Sequence, residues 1–251
     1  MKKPAPRRPK KKTEARRRAP GSRGRGRTAR AVEPQWTEVD RYFSDNLLGK
    51  DPILESALES STAAGLPPIA VSPNQGKLLQ MLAQLVGARS ILEIGTLGGY
   101  STIWLARGLS TGGRVITLEV DARHADVARK NFSRARLDKI IEVREGQALE
   151  TLPRLFAEGR GPFDLIFIDA DKPNIPAYFD WSINLSHPGS LIVVDNVVRD
   201  GEVINARSTD PSVQGVRKFV SQLAADPRVT GTAIQCVGTK GYDGFAVVLV
   251  R

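Results

Sequence analysis

Cysteine, histidine and long apolar runs are scarce in this sequence. One cysteine, Cys236, stands among 251 residues, which excludes an intrachain disulfide and a Cys-rich zinc site. It lies near a C-terminal β-rich run and reads as a small buried hydrophobe. The two histidines are His124, in a helix-patterned stretch, and His187, in a connection. Both read as ordinary surface or loop residues. No window holds eighteen consecutive apolar residues, so no transmembrane helix and no membrane insertion are expected. The basic N-terminus is followed by no apolar stretch and does not read as a secretory signal. The cytoplasm is the default compartment.

The charge is concentrated at one end. Residues 1–30 hold fourteen Lys or Arg against one acid, Glu14, thirteen positive charges net. The whole chain carries +10, so the remainder is slightly acidic at −3. Residues 1–32 are Lys/Arg, Pro and Gly with almost nothing apolar to bury. Such a segment does not offset its ordering entropy and is expected to be a disordered tail. It is able to make weak nucleic-acid or anionic-surface contacts by counterion release. A plain solvated tail, or a start codon assigned too far upstream, is the blander reading. That reading is favoured because no aromatics interleave the charges for base stacking.

The globular pattern runs over 33–251 and is read as one domain, with helices in 33–88 and an α/β core in 89–251. Helical apolar spacing covers Trp36–Leu48, Ile53–Gly65 and Asn74–Val86. Then strands and helices alternate. Strands are predicted at Ser90–Ile94, Arg114–Leu118, Ile140–Val143, Phe163–Ile168 and Ser190–Val194. Helices follow at Tyr100–Leu109, Ala122–Ala135, Ala148–Ala157, Ile175–Leu185 and Val213–Ala225. This alternation predicts a doubly wound, mostly parallel sheet with both faces covered. The last two β-rich runs, Gly231–Val237 and Gly244–Val250, are joined by a turn over Gly238–Asp243 and read as a hairpin. The hairpin makes the sheet seven-stranded, with an antiparallel last strand.

A glycine-rich turn follows the first strand: Glu93-Ile94-Gly95-Thr96-Leu97-Gly98-Gly99-Tyr100-Ser101. It is not G-x-G-x-x-G, so the dinucleotide fingerprint fails. No G-x-x-x-x-G-K-[ST] loop occurs either. Taken alone, such a turn is a weak signal. The second strand ends in Glu119, where an acid is placed to accept both hydroxyls of a ribose. A nucleoside without a pyrophosphate fits these features better than NAD or ATP.

The acids are the most informative feature. The fourth strand ends Ile168-Asp169-Ala170-Asp171-Lys172, and the fifth ends Val194-Asp195-Asn196. In a parallel sheet both tips face one crevice. Asp169, Asp195 and Asn196 are hard oxygen donors for Mg²⁺, with Mn²⁺ or Ca²⁺ as other ions such donors accept. Asp171 alone reads as a cap or loop acid. Lys172 would be a surface lysine but for its place one loop away from the acids.

The run Glu-Ile-Gly-Thr-Leu-Gly-Gly-Tyr-Ser resembles the first motif of class I S-adenosylmethionine methyltransferases with a Rossmann-like sheet. It is most similar to the small metal-dependent O-methyltransferases typified by catechol and caffeoyl-CoA O-methyltransferases. The likeness extends from about Val71 to the C-terminus. It implies S-adenosylmethionine as cofactor, with Gly95 against the methionine portion and Val71 lining its pocket. Glu93 and Ser101 match positions near the amino and carboxylate groups, Glu119 the ribose acid, and Ala148 the border of the adenine. Asp169, Asp195 and Asn196 match the metal motifs, with Asp169 also at the cofactor and catalytic centre. Lys172 matches the general base that accepts the proton of a phenolic or catechol-like hydroxyl. The resemblance also suggests a homodimer, and the helices from Trp36 to Gly65 offer apolar faces for one. One departure stands out. The mammalian catechol enzymes have a further acid opposite the metal. Here the loop Val197–Gln214 offers Asp200, Glu202 and Asp210, with nothing to choose among them.

Two rivals remain in view. A nucleic-acid methyltransferase is favoured by the tail but not by the core, which has no Asn/Asp-Pro-Pro-Tyr/Phe run and no cysteine near the crevice. A catalytically silent nucleic-acid-binding protein is opposed by the intact set of Asp169, Lys172, Asp195 and Asn196.

Overall fold

The computed structural model describes Met1 and residues 34–251. The expected basic tail, with its nucleic-acid contact, therefore lies outside the described residues. Three helices come first: α1 (Pro34–Leu47), α2 (Pro52–Ala63) and α3 (Pro73–Leu85). The starts of α2 and α3 are written in the sequence. Asp51 accepts from the backbone N–H of Ile53 and Leu54, and Ser72 from that of Gln75, each just before a proline at the first helical position.

Alternation then sets in: β1 (Ser90–Ile94), α4 (Tyr100–Gly108), β2 (Arg114–Glu119), α5 (Ala122–Arg134), β3 (Ile141–Glu145), α6 (Ala148–Ala157), β4 (Phe163–Ile168), α7 (Ile175–Asn184), β5 (Ser186–Asp195), α8 (Pro211–Ala225), β6 (Val229–Gly238) and β7 (Gly241–Val250). The strands form one seven-stranded sheet in the order β3-β2-β1-β4-β5-β7-β6. Pairs among β1 to β5 are parallel, and β7 runs antiparallel to both β5 and β6. This is the Rossmann-like methyltransferase sheet expected.

The apolar strands serve two cores at once. Leu92, Ile94, Ile166, Ile168, Ile192 and Val194 pack on one face, and Ile91, Leu165, Phe167, Leu191 and Val193 on the other. Period-two alternation, with both faces covered, is why these strands read as unbroken apolar runs. The strand order reverses between β1 and β4, so their C-terminal tips open a crevice there, the usual ligand position in such sheets.

Three expectations need correction. The hairpin turn is not Gly238–Asp243. Gly238 pairs with Gly241, leaving a two-residue tip, Thr239-Lys240. The glycines that read as breakers lie within the strands. Second, β5 starts four residues earlier than predicted. A register shift between Phe163 and Leu165 absorbs the extra residues, and Ser190 Oγ bridges it, accepting from His187 N–H and donating to the Phe163 carbonyl. Third, Cys236 is exposed, because β6 is the outermost strand. Among the described residues no helix is long and apolar enough to cross a membrane.

Candidate active site

The glycine turn after β1 is shaped by contact with the neighbouring tip. Gly95 has φ +104°, and a Cβ there would lie 2.0 Å from the Asp169 carbonyl oxygen. Only glycine permits both this conformation and this approach. Glu119, at the end of β2, holds the same turn. Its Oε2 accepts the backbone N–H groups of Thr96 (3.2 Å) and Leu97 (2.8 Å), and its Oε1 that of Asp121 (2.9 Å). The ribose-type acid expected from sequence therefore also organises the loop beside it.

These tips enclose a cavity of about 980 Å³, which Val71, Gly95, Ser101, Glu119, Ala148 and Asp169 all line. That volume is at the upper end for a ligand pocket and has room for two ligands side by side. Glu93 is placed differently. It is fully buried and is absent from the cavity wall. Its carboxylate accepts hydrogen bonds from Ser101 (2.6 Å), Thr117 (2.6 Å) and Thr102. Burial pushes it up to about 7, against the pull of the three hydroxyls. Glu93 thus reaches the cavity only through the Ser101 hydroxyl that it orients.

His124 is not the ordinary surface residue that its sequence position suggests. It lies in the first turn of α5, lines the cavity, and brings Nδ1 to 3.6 Å from Glu119 Oε1. The usable signal was its spacing from Glu119: five residues, from a strand tip to the first helical turn.

Of the acidic and amide residues at these tips, Asp169 and Asn196 line the cavity, whereas Asp195 does not. Asp169 follows β4, and its Oδ1 accepts from Lys172 Nζ at 2.9 Å. Asp195, the last residue of β5, is only 5% exposed, and its Oδ1 accepts the Asn196 N–H at 2.8 Å. Burial first, and then the charge of Asp169, push the Asp195 carboxyl upward. Asn196 is held at φ 59° and lines the cavity together with Lys172. Among the described residues no three His, Cys, Asp or Glu side chains form a cluster able to hold a metal. The candidate cation set is therefore two carboxylates and one amide. It suits a hard ion that completes its shell with other oxygens. A buried carboxylate at Asp195 beside a second one at Asp169 is the electrostatic setting that a cation relieves.

Asp171 is engaged locally, accepting from the Tyr178 hydroxyl (2.5 Å) and Asn174 Nδ2 (2.6 Å). Of the loop after β5, Asn196 and Arg199 line the cavity, as does Ser212 in the first turn of α8, whereas Asp200, Glu202 and Asp210 do not. Asp210 instead caps α8 through Ser212 N–H. The hairpin tip, to which the sequence assigned no role, also reaches the cavity with Thr239 and Lys240. A 199-residue separation joins that tip to α1, where Asp40 Oδ2 accepts from Thr239 N–H at 2.8 Å.

Comparison with known proteins follows the same outline. A model of the O-methyltransferase family matches residues 44–248. A catechol O-methyltransferase of Niastella koreensis is 55% identical over 213 residues, 85% of this chain and 96% of that protein. A catechol O-methyltransferase of Mycobacterium tuberculosis is 51% identical over 219 residues, 87% of this chain and 98% of that one. The solved structure of an O-methyltransferase from Bacillus cereus in complex with SAH is 59% identical, with a TM-score of 0.86. The match covers 86% of this chain and 99% of that chain.

Proposed function

Because the chain belongs to the O-methyltransferase family, we propose that it moves the methyl group of S-adenosylmethionine to one hydroxyl of a small phenolic or catechol-like acceptor, with a divalent cation at Asp169, Asp195 and Asn196. The observation that carries this reading is the convergence of Glu119, Asp169, Lys172 and Asn196 on one cavity at the sheet's switch point. The names of the relatives and the SAH bound in the Bacillus cereus structure point the same way.

Each residue has a part in this reading. Val71 and Gly95 shape the space for the methionine portion, and Ser101, oriented by Glu93, meets its polar end. The Glu119 carboxylate accepts the ribose hydroxyls, and Ala148 borders the adenine. Asp169 holds Lys172 Nζ beside the acceptor hydroxyl, and the neutral form of that amine takes the proton and becomes the ammonium that Asp169 pairs with. The acceptor oxygen attacks the methyl carbon as the carbon–sulfur bond breaks, and the sulfonium becomes a neutral thioether. The protein's main contribution is alignment of the two reactants. A cation held by Asp169, Asp195 and Asn196, Mg²⁺ before Mn²⁺ or Ca²⁺, supplies positive charge that makes a nearby hydroxyl more acidic.

The catalytic unit in this reading is residues 33–251, with 1–32 dispensable for methyl transfer, and the setting is cytoplasmic. Caffeic acid assayed with S-adenosylmethionine is the test. Turnover is expected with Mg²⁺, lost in EDTA and restored by added metal. An undiminished rate in EDTA would remove the cation from the proposal, and no transfer to any catechol would remove the acceptor class.

A further inference from the structure

Past Asn196 the cavity wall becomes basic. Arg199 and Lys240 line it from two connections, the loop after β5 and the tip between β6 and β7. Among the described residues neither cation donates a hydrogen bond to a carboxylate, although Asp243 forms an ion pair with Arg199, and Asp169 and Asp195 act on Lys240 through space. The Arg199 guanidinium is 3.7 Å from Asp243 Oδ2, beyond hydrogen-bond range, and its buried Nε has no partner. Asp243 is occupied elsewhere, because its Oδ1 accepts the N–H groups of Val198 (2.9 Å) and Arg199 (3.0 Å). Lys240 Nζ donates to a neutral group, the Pro68 carbonyl, at 2.8 Å.

The backbone adds an independent observation. Arg199 and Asp200 have φ of 56° and 55°, the left-handed region that disfavours side chains. Strain of this kind persists where surrounding structure holds it, and here Asp243 clamps the two N–H groups. The strained segment places a guanidinium, and not one of the loop's three acids, on the cavity wall.

We propose that Arg199, with Lys240 at the rim, anchors a carboxylate of the acceptor, so that the preferred substrates are catechol-like acids and not neutral catechols. This rests on the catechol-like reading above. Arg199 is three residues beyond Asn196 on one loop and lines the same cavity as Asn196 and Lys172, so in this proposal the acceptor's hydroxyls face Asn196 and Lys172 and its carboxylate faces Arg199. A guanidinium fork suits a carboxylate, which it binds through two parallel N–H donors.

The test compares 3,4-dihydroxybenzoate with 4-methylcatechol, which carry a carboxylate and a methyl group on the same ring. Binding of each is measured by calorimetry to the full chain with S-adenosylhomocysteine and Mg²⁺, and kcat/KM in parallel. The wild type should favour the acid. Arg199→Gln should lower the acid-to-neutral ratio about tenfold or more, Lys240→Gln should lower it less, and Arg199→Lys should restore part of it. Equal use of both compounds by the wild type overturns the proposal, as does a ratio that neither Gln variant moves. Failure of the functional reading looks different, since neither compound would then be methylated. In that case the binding arm still decides. Loss of 3,4-dihydroxybenzoate binding in Arg199→Gln supports the anchor, and absent or unchanged binding overturns it.

Discussion

Single carboxylates at the tips of β2 and β5, with two strands between them in the sheet, sit in different settings. Glu119 receives three backbone N–H groups and faces the cavity, whereas Asp195 is buried beside Asp169 and Asn196. Glu119→Ala is therefore expected to weaken S-adenosylmethionine binding about tenfold or more, because hydrogen bonds to a charged group are worth ~1.5–3 kcal/mol. Asp195→Asn should abolish EDTA-sensitive turnover while calorimetry finds cofactor affinity nearly unchanged. Equal cofactor affinity in Glu119→Ala and wild type would refute the first assignment. At the opposite edge of the sheet His187 faces acceptors with both ring nitrogens: Asp164 Oδ1 at 2.9 Å and the Pro188 carbonyl at 2.8 Å. Doubly protonated imidazole satisfies both, and these two bonds, Asp164 first, raise its pKa above the usual 6.5. The added stability is then fully present below about pH 6.5 and is lost as pH rises through the folded-state value. His187→Gln should lower the melting temperature more at pH 5.5 than at pH 9. The effect is small, since exposed pairs contribute about 0.2–1 kcal/mol. A difference independent of pH would show that the charge is irrelevant.

Among elements, α3 and α4 pack with almost no tolerance. A Cβ on Gly76 would lie 2.3 Å from the Trp104 indole, itself buried between the helices. Two effects oppose each other in Gly76→Ala. Helix propensity favours alanine by ~1 kcal/mol, while overpacking costs ~1–3 kcal/mol, and a rigid indole has little room to yield. Net destabilisation of about 1–2 kcal/mol is expected from a shifted denaturation midpoint at constant slope. A stabilised variant would mean that the helices separate freely. The shift should also raise KM for the cofactor, because α3 begins two residues after Val71, which lines the cavity.

For the molecule as a whole, exposed apolar side chains among the described residues occur at scattered positions such as Leu85, Val120, Phe156 and Ile204, and in groups on α1 and β6. Val39, Tyr42, Phe43 and Leu47 are exposed on α1, which buries none of its residues, and Ile234 and Val237 on β6. α2, by contrast, turns Leu54 and Ala57 into the core. This distribution supports a homodimer through α1 and the β6 edge. Light scattering at micromolar concentration should give twice the mass of one chain. Tyr42→Ser with Leu47→Ser should shift that value toward one chain, and a single-chain mass in the wild type would sink the dimer.

Local pattern was enough for most of the architecture. Apolar runs between glycine and proline breaks specify strands, Asp51-Pro52 and Ser72-Pro73 specify helix starts, and β–α alternation specifies a parallel sheet. That sheet brings the residues after each strand to one edge, so Glu119, Asp169, Asp195 and Asn196 were legible as a group before any coordinates. What escaped were placements that depend on packing between distant segments. Glu93 reads like a cavity residue, but three hydroxyls from two elements hold it beneath the wall. His124 reads like a helix-surface residue, but the turn of the chain after β2 brings it back to Glu119. The acids of the loop after β5 read as open candidates to hold a second hydroxyl, but Asp243, on the last strand, fixes that loop with Arg199 on the cavity wall. Lys240 enters the site only because β7 pairs with β5 and carries the hairpin tip over the crevice. Neighbours along the chain determine elements through backbone geometry and burial. Which side chain finally faces a ligand was decided by contacts between elements far apart in sequence, and no local pattern encodes those.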